Sequence, residues 1–330
     1  LFLLFSTVKP GQTFFARSLH NNMAPREITN ARTSLSSAAS NKDDSLETLL
    51  EPWQVFPAHQ WKTLQQSHGS KVKLIHVVRH AEGYHNVNQE YKSPKNIDAR
   101  LTDQGFQQCQ DLAERVRAEL HEVLTPHNTC IVTSPLTRCV QTALHSFPHL
   151  IDHVPILAQE AWRETVNYNC DRRRTRQEIA QEFPLVQLGD CIDHEDVLWN
   201  SYRDRLGEEW DSHMESAELY RVAQRGMEGL LALQERPESQ FVICTHSAFL
   251  RCILNWGQEG GVPKLMPQQL DNRQEKQDSK LFHYANDVVV HDSHDEPISF
   301  EEFMRRDFEN CELRSFCLLV QSQSSSGSSQ

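Results

Sequence analysis

Residues 72–86, VKLIHVVRHAEGYHN, decide how the rest of the chain is interpreted. The first seven positions are mostly apolar and rich in β-branched residues, which predicts a short buried strand. That strand runs directly into Arg79 and His80, and Asn86 follows six residues after the histidine. Because ligands of an α/β sheet bind at the carboxyl ends of its strands, this junction is a candidate binding site.

Outward from this stretch, apolar runs alternate with segments of helical periodicity. A mostly helical insert, roughly 175–236, interrupts the alternation. The pattern predicts an α/β protein, a three-layer α/β/α sandwich with a mostly parallel central sheet, in which residues 165–236 form a helical lid. The predicted strands are 72–78, 129–133, 155–158, 241–245 and an edge strand at 312–320, and the predicted helices are 103–124, 137–147 and 247–256.

The bulk composition limits the classes of partner. The 330 residues are 38% apolar and 24% charged, which is enough to form a sizeable core. A net charge of −12 argues against a nucleic-acid or anionic-membrane partner, since these require an excess of Lys and Arg. No run approaches the roughly 20 apolar residues that span a bilayer. Nine scattered cysteines without a CxxC pair predict reduced, buried thiols and hence a cytoplasmic protein.

The chain ends differ in composition from its middle. Residues 1–45 are predicted to be a disordered or targeting segment, and delivery to an organelle through residues 1–41 is the alternative to a cytoplasmic location. Residues 46–320 are predicted to form one domain, and residues 321–330, QSQSSSGSSQ, a disordered tail. Nothing in the pattern indicates an oligomeric state.

Three of the predicted strands end in polar, reactive side chains. The first ends in Arg79 and His80, the second leads through Ser134 to Arg138, and the fourth ends in His246. Each residue alone is more often a capping or surface residue, but their joint position at strand ends of one sheet favours a functional site. Two arginines, two histidines and a helix N-terminus suit a dianionic phosphate, because they supply charge-assisted hydrogen bonds.

Four segments in this order resemble the motifs of the histidine phosphatase, or phosphoglycerate mutase-like, superfamily. The segments are RHAEGYHN (79–86), LTDQGFQQ (101–108), SPLTRCVQTA (134–143) and THS (245–247), and the resemblance covers roughly 72–320. Residues 162–184 and the segment FENCELR (308–314) are similar to the eukaryotic mutase-like branch. Ala81 and Ser247 stand where the family often has glycine, and both leave the charges in place.

The resemblance implies a role for each strand-end residue. His80 would attack phosphorus as the nucleophile, forming a phosphohistidine. Arg79, Arg138 and His246 would bind the phosphoryl oxygens and stabilise the transition state, and Asn86 would add a neutral hydrogen bond. No metal ion or other cofactor is implied, because the cationic side chains already neutralise the phosphate. The implied partner is a small phosphorylated substrate.

The leaving alkoxide needs a proton donor. The resemblance points to Glu164, which lies six residues before Cys170 as the family's acid precedes its Cys-Asp pair. Glu160, about one helical turn earlier, is the competing candidate. The same carboxylate would then deprotonate the water that hydrolyses the phosphohistidine.

Two polar clusters have weaker interpretations. Arg172, Arg173, Arg174 and Arg176 form a dense basic run in an acidic chain. They are either the solvated start of a helix or a lip that attracts an anionic substrate. Residues 291–296, HDSHDE, contain metal-binding residue types, but a solvated turn is the favoured interpretation.

The leading hypothesis is a metal-independent phosphatase that hydrolyses a phosphomonoester through a phosphohistidine on His80. The first alternative is phosphoryl transfer of the phosphoglycerate mutase type. The connection 87–100 lacks the FxGWxD-type element of the cofactor-dependent mutases, which disfavours this alternative. The second is a catalytically silent scaffold of the same fold, which the chemically competent residues at all the key positions disfavour.

Overall fold

The computed structural model describes residues 53–189, 192–206, 215, 219–256, 282–285, 288–291 and 296–320. All of these lie in the compact unit that spans residues 46–330. The predicted N-terminal segment, 1–45, and the predicted tail, 321–330, lie outside the described residues.

A mixed sheet forms the middle of the protein. The described strands are β1 Trp53–Pro57, β2 Val72–Arg79, β3 Thr129–Thr133, β4 Ile156–Ala158, β5 Gln187–Leu188, β6 Gln240–Thr245, β7 Phe282–Tyr284, β8 Val289–His291, β9 Pro297–Ser299 and β10 Leu313–Leu319. Among the described residues the sheet has eight strands in the order β5-β4-β3-β6-β2-β10-β1-β7, while β8 and β9 form a separate antiparallel ribbon. Seven strands of the sheet run in one direction and β10 runs opposite to them, so the prediction of a mostly parallel sheet is confirmed.

The prediction that β10 is an edge strand is wrong. It pairs with β2 on one side and with β1 on the other. The outer neighbour, β1, is built from a segment before β2 in which Trp53 and Val55 are buried and alternate with partly exposed residues. This alternation is the period of a strand with one face in the core. The segment before β2 therefore adds a strand outside β10 and places β10 in the interior of the sheet.

Helices cover both faces of the sheet, which confirms the three-layer sandwich. α2 and α3 pack on one face against residues such as Ile131 and Val242. α6, α7 and α8 pack on the other face against Ile75, Phe241 and their neighbours. The described helices are α1 Trp61–His68, α2 Asp103–Glu119, α3 Thr137–Ser146, α4 Arg176–Glu182, α5 Val197–Leu206, α6 Leu219–Gln234, α7 Ser247–Leu254 and α8 Phe300–Arg305.

In the part of 165–236 that the structure describes, the predicted lid contributes elements to the core and to the sheet and is not one helical layer over the site. Its last helix, α6, belongs to the core, where Met227 is fully buried and Gly229 packs closely against Trp162. The segment also contributes β5, which pairs with β4 in the central sheet. The physical reason is that α6 carries a continuous apolar stripe, and such a stripe is buried against a sheet rather than left over a cleft.

Two further properties of the described residues follow from the fold. No described helix is long and apolar enough to cross a membrane. Of the nine cysteines, the eight that the structure describes are buried and free of disulfide bonds, and Cys191 lies outside the described residues.

The start of α2 is packed tightly against the loop that follows β2. Thr102 caps the helix, since its hydroxyl accepts a hydrogen bond from the Gly105 backbone N–H at 3.0 Å. The Thr102 backbone N–H donates to the Glu82 carbonyl at 3.0 Å. A Cβ atom on Gly105 would lie 2.1 Å from that same carbonyl oxygen, so only glycine fits. The helix thereby fixes the loop two residues after His80.

We predict that Gly105→Ala destabilises the protein, although alanine is normally the better helix former by about 1 kcal/mol. The clash is with backbone, which has to move, and overpacking of this kind costs about 1–3 kcal/mol. The measurement is the free energy of unfolding in urea. Gln104→Ala, at the exposed neighbouring position, is the control and is expected to be neutral or stabilising. A stability gain for Gly105→Ala similar to that of the control would show that α2 does not press on the loop.

Candidate active site

The carboxyl ends of β2, β3 and β6 meet and bring the predicted site residues together. The His80 backbone N–H donates to the Thr245 carbonyl at 2.8 Å, and the Ser134 N–H donates to the Cys244 carbonyl at 3.0 Å. These bonds continue the parallel ladders beyond the strands. As a result, the ring centroids of His80 and His246 are 5.2 Å apart. The two histidines predicted to share a phosphate therefore lie side by side.

His80 is buried and its tautomer is fixed. Its Nδ1 lies 2.7 Å from the Ala81 carbonyl oxygen. A carbonyl can only accept a hydrogen bond, so Nδ1 carries the proton and Nε2 keeps its lone pair. Burial, and then the positive charge of Arg138, hold the pKa of His80 well below its usual value. The imidazole is therefore neutral at physiological pH, which is the state required of a nucleophile.

His246 is also a neutral, buried imidazole. Its Nε2 lies 2.9 Å from the Ser134 hydroxyl and 3.3 Å from the Cys139 sulfur. Burial and the charge of Arg138 lower its pKa well below the usual value. His246 is thus held beside His80 as a hydrogen-bonding group and not as a cation.

Two arginines supply the positive charge of the site. Arg138 is buried, and it donates from Nη1 to the Cys170 carbonyl at 2.6 Å and from Nη2 to an Asp171 carboxylate oxygen at 3.1 Å. Arg79 donates from Nη1 to the Phe308 carbonyl at 2.6 Å. The Nε atoms of both arginines are buried without a partner among the described residues. Because unpaired buried donors are costly, this arrangement suits a bound anion such as phosphate.

Glu164 is the carboxyl group of the site. Its Oε1 accepts hydrogen bonds from the backbone N–H groups of Thr165 at 3.0 Å and Phe249 at 2.9 Å. Phe249 lies in the first turn of α7, so the carboxylate occupies part of the helix N-terminus predicted to bind phosphate. Burial, followed by the negative charge of Asp171, raises the pKa of Glu164 to about 7. A carboxyl group with this pKa can both give and take a proton near neutral pH.

The competing candidate, Glu160, is in a different environment. One carboxylate oxygen accepts from Arg163 at 3.1 Å and the other from Arg173 at 2.6 Å. Both arginines are buried, so this carboxylate neutralises internal charge. The geometry therefore favours Glu164 as the proton donor.

Asn86 closes the loop on which His80 lies. Its side-chain oxygen accepts a hydrogen bond from the Gly83 backbone N–H at 3.0 Å, and its backbone N–H donates to the Gly83 carbonyl at 2.8 Å. The side-chain oxygen is thus used inside the loop. The amide N–H₂ group is left to supply the hydrogen bond that the resemblance implies.

The structure does not support a lip made of four arginines. Arg173 is buried against Glu160, Arg174 binds Asp98 and Glu182, and Arg176 donates to three backbone carbonyls. Each guanidinium is therefore used inside the protein, where it neutralises a carboxylate or satisfies buried carbonyl groups. Arg172 is exposed and is the one residue of the run to which the lip hypothesis still applies.

Three residues near His80 were not predicted from the sequence to belong to the site. The Asn310 side chain donates to the His80 carbonyl at 3.0 Å, and the Cys311 N–H donates to the Arg79 carbonyl at 3.1 Å. The third residue is His85, whose ring centroid is 5.3 Å from that of His80. The sequence contained a signal for each, since Asn310 and Cys311 lie in the family-like segment 308–314 and His85 lies in RHAEGYHN. Their contacts with Arg79 and His80 are visible only in three dimensions.

The cluster 291–296 is only partly described. His291 ends β8 and Glu296 precedes β9, while residues 292–295 lie outside the described residues. Among the residues that the structure does describe, no three His, Cys, Asp or Glu side chains are grouped as a metal site. The interpretation as a solvated turn stays a prediction.

The chain is similar to a known protein family, to curated proteins and to solved structures. The family model described as the histidine phosphatase superfamily (branch 1) matches residues 75–274. A phosphoglycerate mutase-like protein of Arabidopsis thaliana is 32% identical over 220 residues, 56% of this chain and 74% of that protein. Phosphoglycerate mutase-like protein 2 of the same plant is 27% identical over 331 residues, 82% of each chain. Among solved structures, Bacillus stearothermophilus YhfR matches with a TM-score of 0.36 and 21% identity, over 69% of this chain and 95% of that one.

The matched region of the family model contains the whole strand-end site. His80, Arg138, Glu164 and His246 all lie between residues 75 and 274, and the match extends over more than half of the chain. The sequence-based assignment to this family is confirmed. The chain belongs to the histidine phosphatase superfamily and is a phosphoryl-transfer enzyme.

Proposed function

We propose that this protein is a metal-independent phosphatase that hydrolyses a small phosphomonoester through a phosphohistidine on His80. One observation carries the proposal. A neutral imidazole with its Nε2 lone pair available lies beside two fixed guanidinium groups and a carboxyl group whose pKa is raised to about 7. These groups have the properties required of a nucleophile, of phosphate-binding groups and of a proton donor, which supports the proposal.

In the first step, His80 Nε2 attacks phosphorus and the bond from phosphorus to the ester oxygen breaks. Arg79 and Arg138 stabilise the negative charge on the phosphoryl oxygens, which is the main contribution that a protein makes to phosphoryl transfer. Glu164 gives its proton to the leaving oxygen, so an alcohol departs. The hydrogen bond from His80 Nδ1 to the Ala81 carbonyl disperses the charge that develops on the ring.

In the second step, a water molecule attacks the phosphohistidine. The ionised Glu164 removes a proton from this water, and inorganic phosphate leaves as the bond from Nε2 to phosphorus breaks. His80 and the protonated Glu164 are restored. The pKa of about 7 suits both steps of the reaction, because Glu164 acts as an acid in the first step and as a base in the second.

Charge distribution supports water as the acceptor over a bound phosphoglycerate. A mutase holds a bisphosphorylated intermediate and needs a second cationic site to do so. Three of the four arginines in the basic run are bound to carboxylates or carbonyl groups of the protein. They are therefore not available to a second phosphate, and Arg172 alone is exposed.

We predict that the purified protein releases inorganic phosphate from phosphomonoesters over many turnovers without 2,3-bisphosphoglycerate as a primer. The experiment supplies 3-phosphoglycerate and a panel of sugar phosphates, nucleotides and phosphoproteins, and it follows free phosphate together with 2-phosphoglycerate. Primer-dependent interconversion that is faster than phosphate release would contradict the phosphatase and establish the mutase. Inertness toward every ester would instead favour the scaffold.

A second prediction concerns Glu164. Glu164→Gln removes the proton donor, so turnover of alkyl phosphates should fall by about 10²–10⁴-fold. An aryl phosphate whose leaving group departs without protonation should be much less affected in the first step. For wild-type protein with an alkyl phosphate, kcat/KM should fall as pH rises through about 7, because the acid loses its proton there. The variant should lose this part of the pH profile.

Glu119→Gln is the matched control, because Glu119 is exposed and lies at the far end of the 17-residue helix α2. It should leave both substrates and the pH profile unchanged. Glu160→Gln should lower the melting temperature, since it breaks ion pairs with buried arginines, without changing the ratio of aryl to alkyl turnover. If Glu160→Gln changes that ratio and Glu164→Gln does not, the proton donor is Glu160.

A further inference from the structure

His85 is a buried imidazole beside the nucleophile. Only 5% of its surface is exposed, and its ring centroid lies 5.3 Å from that of His80. The ring centroid of His246 lies at the nearly equal distance of 5.2 Å from that of His80. His80 is therefore close to two imidazoles. The family resemblance assigns a role only to His246, as a group that binds the phosphoryl oxygens.

Nδ1 of His85 is fully buried and has no hydrogen-bond partner among the residues that the structure describes. Buried polar atoms in proteins almost always have a partner, because an unmade hydrogen bond in the interior is expensive. The other unpaired donors around His80 are the Nε atoms of Arg79 and Arg138. Three orphaned nitrogens close to one nucleophile point to one ligand.

The fold holds the His85 ring in place by close packing. A Cβ atom on Gly83 would lie 2.8 Å from both Cε1 and Nδ1 of the ring, so the glycine provides the space that the ring fills. On another side, the Tyr91 ring meets His85 edge-on with centroids 6.0 Å apart. This packing fixes the position of the imidazole, which in the sequence lies two residues after Gly83 and one residue before Asn86.

Burial and the charges around His85 determine its protonation state. Burial, Arg138 and Arg79 lower its pKa to about 2, so the ring is neutral. A neutral imidazole has one N–H donor and one acceptor nitrogen. Next to an anion held by two guanidiniums, the ring gains most when its N–H points at the anion.

We propose that His85 binds the transferred phosphoryl group directly, donating one N–H to a phosphoryl oxygen. This inference rests on the proposed phosphatase function. The phosphoryl group on its way to His80 Nε2 would then contact two arginines and two imidazoles. His85 is thereby assigned as a further catalytic residue of the site.

The test uses two substitutions that separate hydrogen bonding from packing. His85→Phe keeps an aromatic ring against Gly83 and Tyr91 but has no N–H, whereas His85→Gln keeps a donor on a smaller side chain. For each variant, kcat and KM are measured with an aryl phosphate. Binding of orthovanadate, which mimics the phosphoryl group in transfer, is measured by calorimetry, and the melting temperature is recorded.

We expect His85→Phe to lower both kcat/KM and vanadate affinity by about 10- to 100-fold, the effect of one hydrogen bond to a charged group. The melting temperature should stay near that of the wild type, and His85→Gln should recover much of the loss. His145→Phe is the control, because this exposed imidazole packs against Phe106 away from the site. It should leave both quantities unchanged.

Several outcomes would overturn the assignment. If His85→Phe keeps the kcat/KM and the vanadate affinity of the wild type, the ring serves packing alone. The same conclusion follows if His85→Phe and His85→Gln lose activity equally and both have a lower melting temperature. Vanadate binding also separates the two proposals, because it requires no hydrolysis. A wild-type protein that hydrolyses nothing but loses vanadate affinity on His85→Phe would contradict the phosphatase and support the role of His85.

Discussion

Two guanidinium groups that the protein itself only partly neutralises are the constraint on which the rest of the structure depends. Arg79 is held by a carbonyl oxygen and Arg138 by a carbonyl and one carboxylate, and each keeps an unpaired buried donor. Burial, together with this positive charge, lowers the pKa values of the neighbouring histidines and keeps them neutral. The same charge prepares the site for a dianion. The two arginines therefore contribute both to the neutral state of the nucleophile and to anion binding.

The central sheet and the helices on its two faces hold these groups within a few ångströms of one another. Residues far apart in the sequence, His80 and His246, become neighbours because β2 and β6 are paired parallel strands. The segment 308–314, which leads into the antiparallel strand β10, also fixes the nucleophile. It enters antiparallel β10 through a turn in which Cys311 has a φ of 60°, and from that turn it contacts the carbonyls of Arg79 and His80. The antiparallel strand of the sheet thus begins at the active site, where the parallel strands end.

Much of this arrangement was predictable from the sequence, and the exceptions have physical reasons. Strand periodicity and polar strand ends predicted the site, because both are local patterns. The interior position of β10 was not predictable, since pairing with β1 depends on a segment about 260 residues away. Glu160 and Glu164 are the same residue type four residues apart, and only their three-dimensional surroundings distinguish a salt-bridged carboxylate from a group with a pKa of about 7. The internal ion pairs and hydrogen bonds of the arginine run 172–176 were also not predictable, because composition does not show which groups a side chain contacts.

The central claim is that phosphoryl transfer passes through His80, and trapping the intermediate tests it most directly. Protein turning over a ³²P-labelled aryl phosphate is quenched in base, and its peptides are analysed by mass spectrometry. We predict a label on His80 that is stable in base and lost in mild acid, as a phosphoramidate is, and absent from His80→Ala. An active enzyme whose quenched form carries no label, or carries it on another residue, would contradict the account.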